Sequence, residues 1–203
     1  MNKFRVCLTG GIASGKTHVS DRLAKQNLLV IDTDLIARDV VKPGSDGLQQ
    51  LVDEFGSQIL DETLGLNRSL LRKMVFSDAK RLEILNGLLH PLIWQAANNM
   101  SKLSSHHLEV WVIPLYDGHQ ESVVFDRVLV IDVDQETQLK RVLRRDAVSA
   151  SIAQTMINSQ ASRTTRLQWA SDVIVNNSDL ASLDHCVDGV YRLYQSMVKA
   201  RIM

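Results

Sequence analysis

Three groups of residues have the types and spacing of chemistry rather than of packing: a glycine-rich turn ending in a lysine, two aspartates separated by one residue, and a cluster of lysines and arginines. The turn, Gly10-Gly11-Ile12-Ala13-Ser14-Gly15-Lys16-Thr17, matches G-x-x-x-x-G-K-[ST]. It lies between an apolar run, Phe4 to Thr9, and a segment of helical period, Lys16 to Gln26, the context in which this pattern has physical meaning. Glycines at 10, 11 and 15 admit backbone conformations closed to other residues and let successive N–H groups converge on phosphate oxygens. The dipole of the following helix adds partial positive charge behind them. Lys16 brings a full charge towards the β- and γ-phosphates, and the Thr17 hydroxyl is a ligand for Mg²⁺. The implied ligand is a nucleoside triphosphate, most simply ATP. His18, next in line, is either a phosphate contact or the first exposed residue of the helix.

Val30-Ile31-Asp32-Thr33-Asp34 closes a second apolar run. If the strand persists to Asp34, alternation sends both carboxylates to one side, at the carboxyl edge of the sheet where ligands bind. If the two strands are neighbours, that edge lies beside the phosphate turn. One aspartate would hold Mg²⁺ through water and the other would accept a proton from a substrate hydroxyl. The plainer alternative is that Asp34 caps a helix beginning at Leu35, although capping alone does not call for two acids. The basic cluster is Lys140, Arg141, Arg144 and Arg145, in which Arg141 and Arg145 share a helix face. Such a helix can act as a lid whose guanidinium groups meet charge on a transferring phosphoryl group, with Arg163 and Arg166 just beyond. Otherwise it is a solvated face paired with Glu136 and Asp146.

Positioning these groups requires a scaffold, and short apolar runs alternate with longer helical segments as in a parallel sheet covered on both faces. The fold class is α/β. Phe4 to Thr9, Leu28 to Asp32, Leu108 to Pro114, Arg127 to Val133 and Asp172 to Val175 read as five strands, rich in Val, Ile or Leu as double burial requires. From Leu35 to about Leu103 there are only helical segments, broken at Pro43-Gly44 and at Asp61 to Asn67, so this stretch reads as a helical insertion. Pro91 should kink a helix or end it at His90. Helices are also expected over Glu136 to Asp146 and about Leu180 to Ala200. With 203 residues, 45% of them hydrophobic, one main domain with a smaller inserted one is expected. Basic and acidic residues balance at 23 each, so no global field draws the chain to nucleic acid or to an anionic membrane. The first apolar run is too short for a secretory signal and no later one approaches a membrane span, which makes a cytoplasmic location the expectation. Cys7 and Cys186 are read as reduced, Cys7 as a small core residue, and the six histidines show no zinc spacing.

In order along nearly the whole chain, TGGIASGKT, VIDTDLIAR, NGLLHPLI, WVIPL, RVLVIDVDQETQLKR and SDVIVNN resemble the dephospho-CoA kinase family. The phosphate turn is common to many families, whereas IDTD-x-IAR together with LLHPLI is far more specific to this one. The resemblance implies a three-layer P-loop NTPase fold similar to nucleoside monophosphate kinases. Its nucleotide-binding core would span 1–34 and 104–203, with a lid at about 136–166, and a helical CoA-binding insertion would span 35–103. It implies transfer of the ATP γ-phosphoryl to the ribose 3′-hydroxyl of dephospho-CoA, the last step of coenzyme A synthesis. By position it further implies Asp34 as general base, with Lys16 and Arg141 as catalytic partners. Gly10, Gly11, Ile12, Ala13, Ser14, Gly15, Lys16, Thr17, His18 and Asn177 would contact the nucleotide, with Asn176 and Asn177 near the adenine. Asp32, Arg38, His90 and Arg145 would serve the acceptor, and Thr17 and Asp32 the Mg²⁺. The implied partners are small molecules, without nucleic acid or membrane, and the chain would be a monomer or weak homo-oligomer. Gly118 departs from the family pattern PLL-x-E, Thr17-His18 from Ser-Thr, and Val175 from an acidic residue. A kinase of nucleoside monophosphates or shikimate-like alcohols would use the same parts. A GTP-dependent switch is disfavoured because no N-K-x-D appears and Asn176-Asn177-Ser178-Asp179 lacks the lysine.

Overall fold

The computed structural model describes residues 3–76, 78–118 and 123–202. The apolar runs form strands β1 (Phe4–Gly10), β2 (Leu29–Asp32), β3 (Leu108–Val112), β4 (Arg127–Asp132) and β5 (Asp172–Val175). All pairings are parallel and the order is β2-β3-β1-β4-β5. The first two strands are not neighbours: β2 pairs with β3 rather than with β1, so a strand separates Asp32 from the phosphate turn. The cause is burial. Val6, Cys7 and Leu8 of β1 are wholly enclosed and belong at the sheet centre. The four residues of β2 are mostly half-buried and suit an edge.

Helices α1 (Lys16–Ala24) and α9 (Leu180–Ile202) cover one face of the sheet. Alternation in β1 turns Phe4, Val6 and Leu8 to that face, where they meet Val19 and Leu23 of α1 and Leu183, Val187 and Tyr194 of α9. Three more helices, α6 (Gln135–Asp146), α7 (Ala150–Asn158) and α8 (Arg163–Trp169), follow β4. Each starts on a side-chain cap: Asp134, Ser149 and Ser162 accept from the N–H groups of Thr137, Ile152 and Thr165. The result is a three-layer α/β fold. No described helix is long and apolar enough to cross a membrane.

The chain divides into two compact units, Met1–Asp32 with Ser104–Met203, and Thr33–Leu103. The second holds α2 (Thr33–Asp39), α3 (Asp46–Phe55), a 3₁₀ turn (Ser57–Ile59), α4 (Arg68–Phe76) and α5 (Ala79–Leu103). It has its own core of Val41, Leu48, Leu51, Phe55, Ile59, Leu71 and Val75. Ser45 caps α3 by accepting from the Leu48 N–H at 3.2 Å. Pro91 does not end a helix at His90, because α5 runs through it. A proline ring crowds the carbonyl four residues back and removes one hydrogen bond; here that residue is Gly87, and the helix loses a bond rather than a turn.

Candidate active site

The carboxyl end of β1 opens into the phosphate turn, and side chains hold the peptide groups of Gly10, Gly11, Ile12 and Ser14. Lys16 Nζ donates to the carbonyls of Gly10 at 2.7 Å and Gly11 at 2.9 Å. The Ile12 N–H donates to Gln160 Oε1 at 2.6 Å, and the Ile12 carbonyl accepts from Gln138 Nε2 at 2.9 Å. Asn176 Nδ2 donates to the Ser14 carbonyl at 2.8 Å. Gly11 has no room for a side chain, since a Cβ there would lie 2.5 Å from Gln138 Nε2 and 2.9 Å from Arg166 Nη2. Gly15, at φ 98°, is the left-handed residue that turns the chain into α1. The first amides of α1 have no acceptor within the helix. Thr17 is exposed at that end.

Two arginines of α8 have divided roles. Arg163 grips Asp132, the buried last residue of β4, through bonds of 2.6 and 2.8 Å. Arg166 is only 8% exposed, and burial pulls its pKa below the ordinary guanidinium value, although an arginine stays charged. Its guanidinium donates to the Ala161 carbonyl and lies against Gly11. A cation with this much desolvation, facing a turn of amides, favours an anion there.

The other residues expected at the nucleotide are arranged differently. Arg145 is bound by Asp146 at 2.8 and 2.9 Å, and Lys140 by Glu136 at 2.5 Å, the partners that the solvated-face reading names. Arg141 is half-buried on α6. Asn177 Oδ1 accepts from the Asp134 N–H at 3.0 Å and fixes the turn before α6, while Asn176 is buried against Ser14 and Gly15. His18 Nε2 lies 2.7 Å from Asp184 Oδ1 on α9, in a network with Arg22 and Asp188. The ring of His18 therefore turns to α9. Gln138 and Gln160 were not expected. Gln138 carried a signal, a polar residue one turn from Val142 on the buried stripe of α6; Gln160, between α7 and α8, carried none.

Cys7 is enclosed in β1, where burial pushes its thiol pKa far up and leaves it inert. Gly118, at φ 91°, lies under the indole of Trp169, the last residue of α8, and a Cβ there would run into the indole Nε1. Tyr116 packs edge-on against Trp169 and Phe125, with centroids at 5.7 and 6.3 Å. Gly118→Ala is expected to destabilise the fold by about 1–3 kcal/mol through this overlap and its left-handed backbone. Urea denaturation checks it, and an unchanged midpoint would mean that the indole moves aside at no cost.

In the second unit, Asp34 and Arg38 lie four residues apart on one exposed face of α2, which packs on α5. Alternation does not align Asp32 with Asp34, because β2 ends at Asp32 and Thr33 already begins α2. Nor does Asp34 precede the helix as a cap; it sits inside the first turn, where a carboxylate is favoured by the dipole. His90 lines a shallow groove of about 540 Å³ with Leu82, Glu83, Asn86, Gly87 and Pro91, all on one side of α5. Pro91 has no N–H, so it cannot donate to the Gly87 carbonyl one turn back. Among the described residues no three His, Cys, Asp or Glu side chains converge as a metal cage. Mg²⁺ needs no such cage, since it is commonly held by one or two protein oxygens together with substrate phosphates, and the exposed Thr17 hydroxyl suits that arrangement.

A parallel sheet whose central strand feeds an amide-lined, lysine-bearing turn at a helix start defines a P-loop nucleotide-binding protein. Residues 4–182 match the family model described as dephospho-CoA kinase. A dephospho-CoA kinase of Aliivibrio fischeri is 43% identical over 175 residues, 86% of this chain and 96% of its own. One from Shewanella oneidensis is 37% identical over 194 residues, covering 96% of this chain and 95% of its own. The solved dephospho-CoA kinase of Campylobacter jejuni shares the fold, with a TM-score of 0.67 at 24% identity over 97% of this chain and 98% of that one. The chain belongs to the dephospho-CoA kinase family.

Proposed function

We infer that this protein transfers the γ-phosphoryl group of ATP to the ribose 3′-hydroxyl of dephospho-CoA. Membership of the family over nearly the full chain carries the reading, and the phosphate turn supplies its chemistry. The first amides of α1 and the Lys16 ammonium cradle the β- and γ-phosphates. Arg166, buried beside Gly11, adds positive charge behind the turn. Thr17 and Asp32 would hold Mg²⁺, which supplies further charge neutralisation to the phosphates. Asp34 accepts the proton of the attacking hydroxyl, and Arg38 and the groove at His90 take the acceptor. Much of the rate then comes from positioning, because a loose phosphoryl-transfer transition state asks for little covalent chemistry from the protein.

A coupled ATP assay with dephospho-CoA, followed by mass analysis, tests this directly. The expected product is the acceptor carrying one added phosphoryl group, with no comparable product from AMP or shikimate. ATP hydrolysis indifferent to every acceptor would overturn the reading.

A further inference from the structure

Ala13 is a non-glycine residue with a left-handed backbone, φ 58°, in the middle of the phosphate turn. Such a conformation disfavours a side chain and persists where the surroundings over-determine it. The surroundings here are two glutamines from outside the turn. Gln138, on α6 and 3% exposed, donates to the Ile12 carbonyl, and Gln160, between α7 and α8, accepts from the Ile12 N–H. A trans peptide points its carbonyl and its N–H in opposite directions, so each bond fixes the far side of a peptide plane. Holding the Ile12 carbonyl outward aims the Ala13 N–H inward. Holding the Ile12 N–H outward turns the Gly11 carbonyl inward, where Lys16 Nζ takes it at 2.9 Å and the Ser14 N–H at 3.2 Å.

We propose that Gln138 and Gln160 are positioning residues of the phosphoryl-transfer site, which through these two planes aim the Ala13 N–H at the triphosphate and seat the Lys16 ammonium. Both are neutral amides, so they hold the turn without adding a charge that would compete with phosphate or with Lys16. The proposal rests on reading the turn as the ATP site, and it ties the helices after β4 to the turn through hydrogen bonds rather than through their arginines. It also accounts for alanine at a position where glycine would be relaxed: Gln138 supplies the restraint that a left-handed alanine needs.

The test is a cycle between Gln138→Met, which keeps length and loses the donor, and Ala13→Gly, which removes the conformational penalty. Gln138→Met alone is expected to lower kcat/KM for ATP about tenfold, the factor that about 1.4 kcal/mol carries. In the Ala13→Gly background the same change should cost about twofold, because glycine holds the left-handed turn unaided. An equal loss in both backgrounds, with a lowered Tm, would make Gln138 a packing residue and overturn the proposal. Gln160→Met reads the other plane without touching the core: ATP affinity by calorimetry, with no acceptor present, should fall about fivefold. Unchanged affinity would overturn that half. The calorimetric arm separates the two readings, since it reports the turn even if dephospho-CoA proves not to be the acceptor.

Discussion

Asp34→Asn is expected to lower kcat for phosphoryl transfer to dephospho-CoA by about 10²- to 10⁴-fold, the range that general-base assistance supplies, with ATP affinity nearly unchanged. The substitution keeps the shape of the side chain and its place in the first turn of α2, so the acceptor can still be held. What is lost is the atom that can take a proton. Binding of ATP depends on the phosphate turn and α1, in the other compact unit, and has no reason to respond. The first turn of α2 also loses a favourable charge, a matter of about 0.3–1 kcal/mol at an exposed site, which a thermal melt would register as a small shift. Steady-state kinetics with calorimetric ATP binding separate these effects. Near-normal turnover would remove Asp34 from the role of base, and a loss confined to KM for dephospho-CoA would recast it as a binding group.

The parts of this molecule that were legible in the sequence are those decided by neighbours along the chain. β1, β3 and β4 could be read because strands buried on both faces must be apolar, whereas β2 and β5 are short apolar runs that the fold leaves half-buried or partly exposed. The phosphate turn could be read because its glycines, lysine and hydroxyl are contiguous. The order of the strands was not legible: whether β2 lies beside β1 or β3 is a choice between pairings far apart in sequence, settled by which strand most needs burial. Helices α7 and α8 are short, and Ser149 and Ser162 were their only local start signals. The alternation expected from Asp32 to Asp34 failed for a similar reason, since nothing in Thr33 announces a helix. Least legible were the amides around the turn. Gln138 and Gln160 stand 126 and 148 residues from the Ile12 peptide that they hold. Neither forms a motif with it, and their role exists only once α6 and the α7–α8 link have been brought to the end of β1.

Lys16→Ala should weaken both steps at once, lowering kcat/KM by at least about 10²- to 10³-fold, the cost of losing one well-placed donor to developing charge, and reducing ATP affinity with it. The ammonium is not a mobile surface charge: it is anchored on the carbonyls of Gly10 and Gly11, both buried, at the mouth of the turn. Removing it takes a full charge from the phosphates and leaves two inward carbonyls to face anionic oxygens, so the turn changes from attractive to partly repulsive at that point. Arg166 cannot replace it, because its guanidinium is packed against Gly11 and committed to the Ala161 carbonyl. Lys16→Arg should fare little better, since a planar fork does not fit the seat of a compact ammonium. Calorimetry with ATP and, separately, with dephospho-CoA checks the assignment: the first should weaken and the second should not. Retained ATP affinity together with retained turnover would mean that the phosphates are held elsewhere, and equal weakening of both ligands would mean that the substitution has disturbed the fold rather than the site.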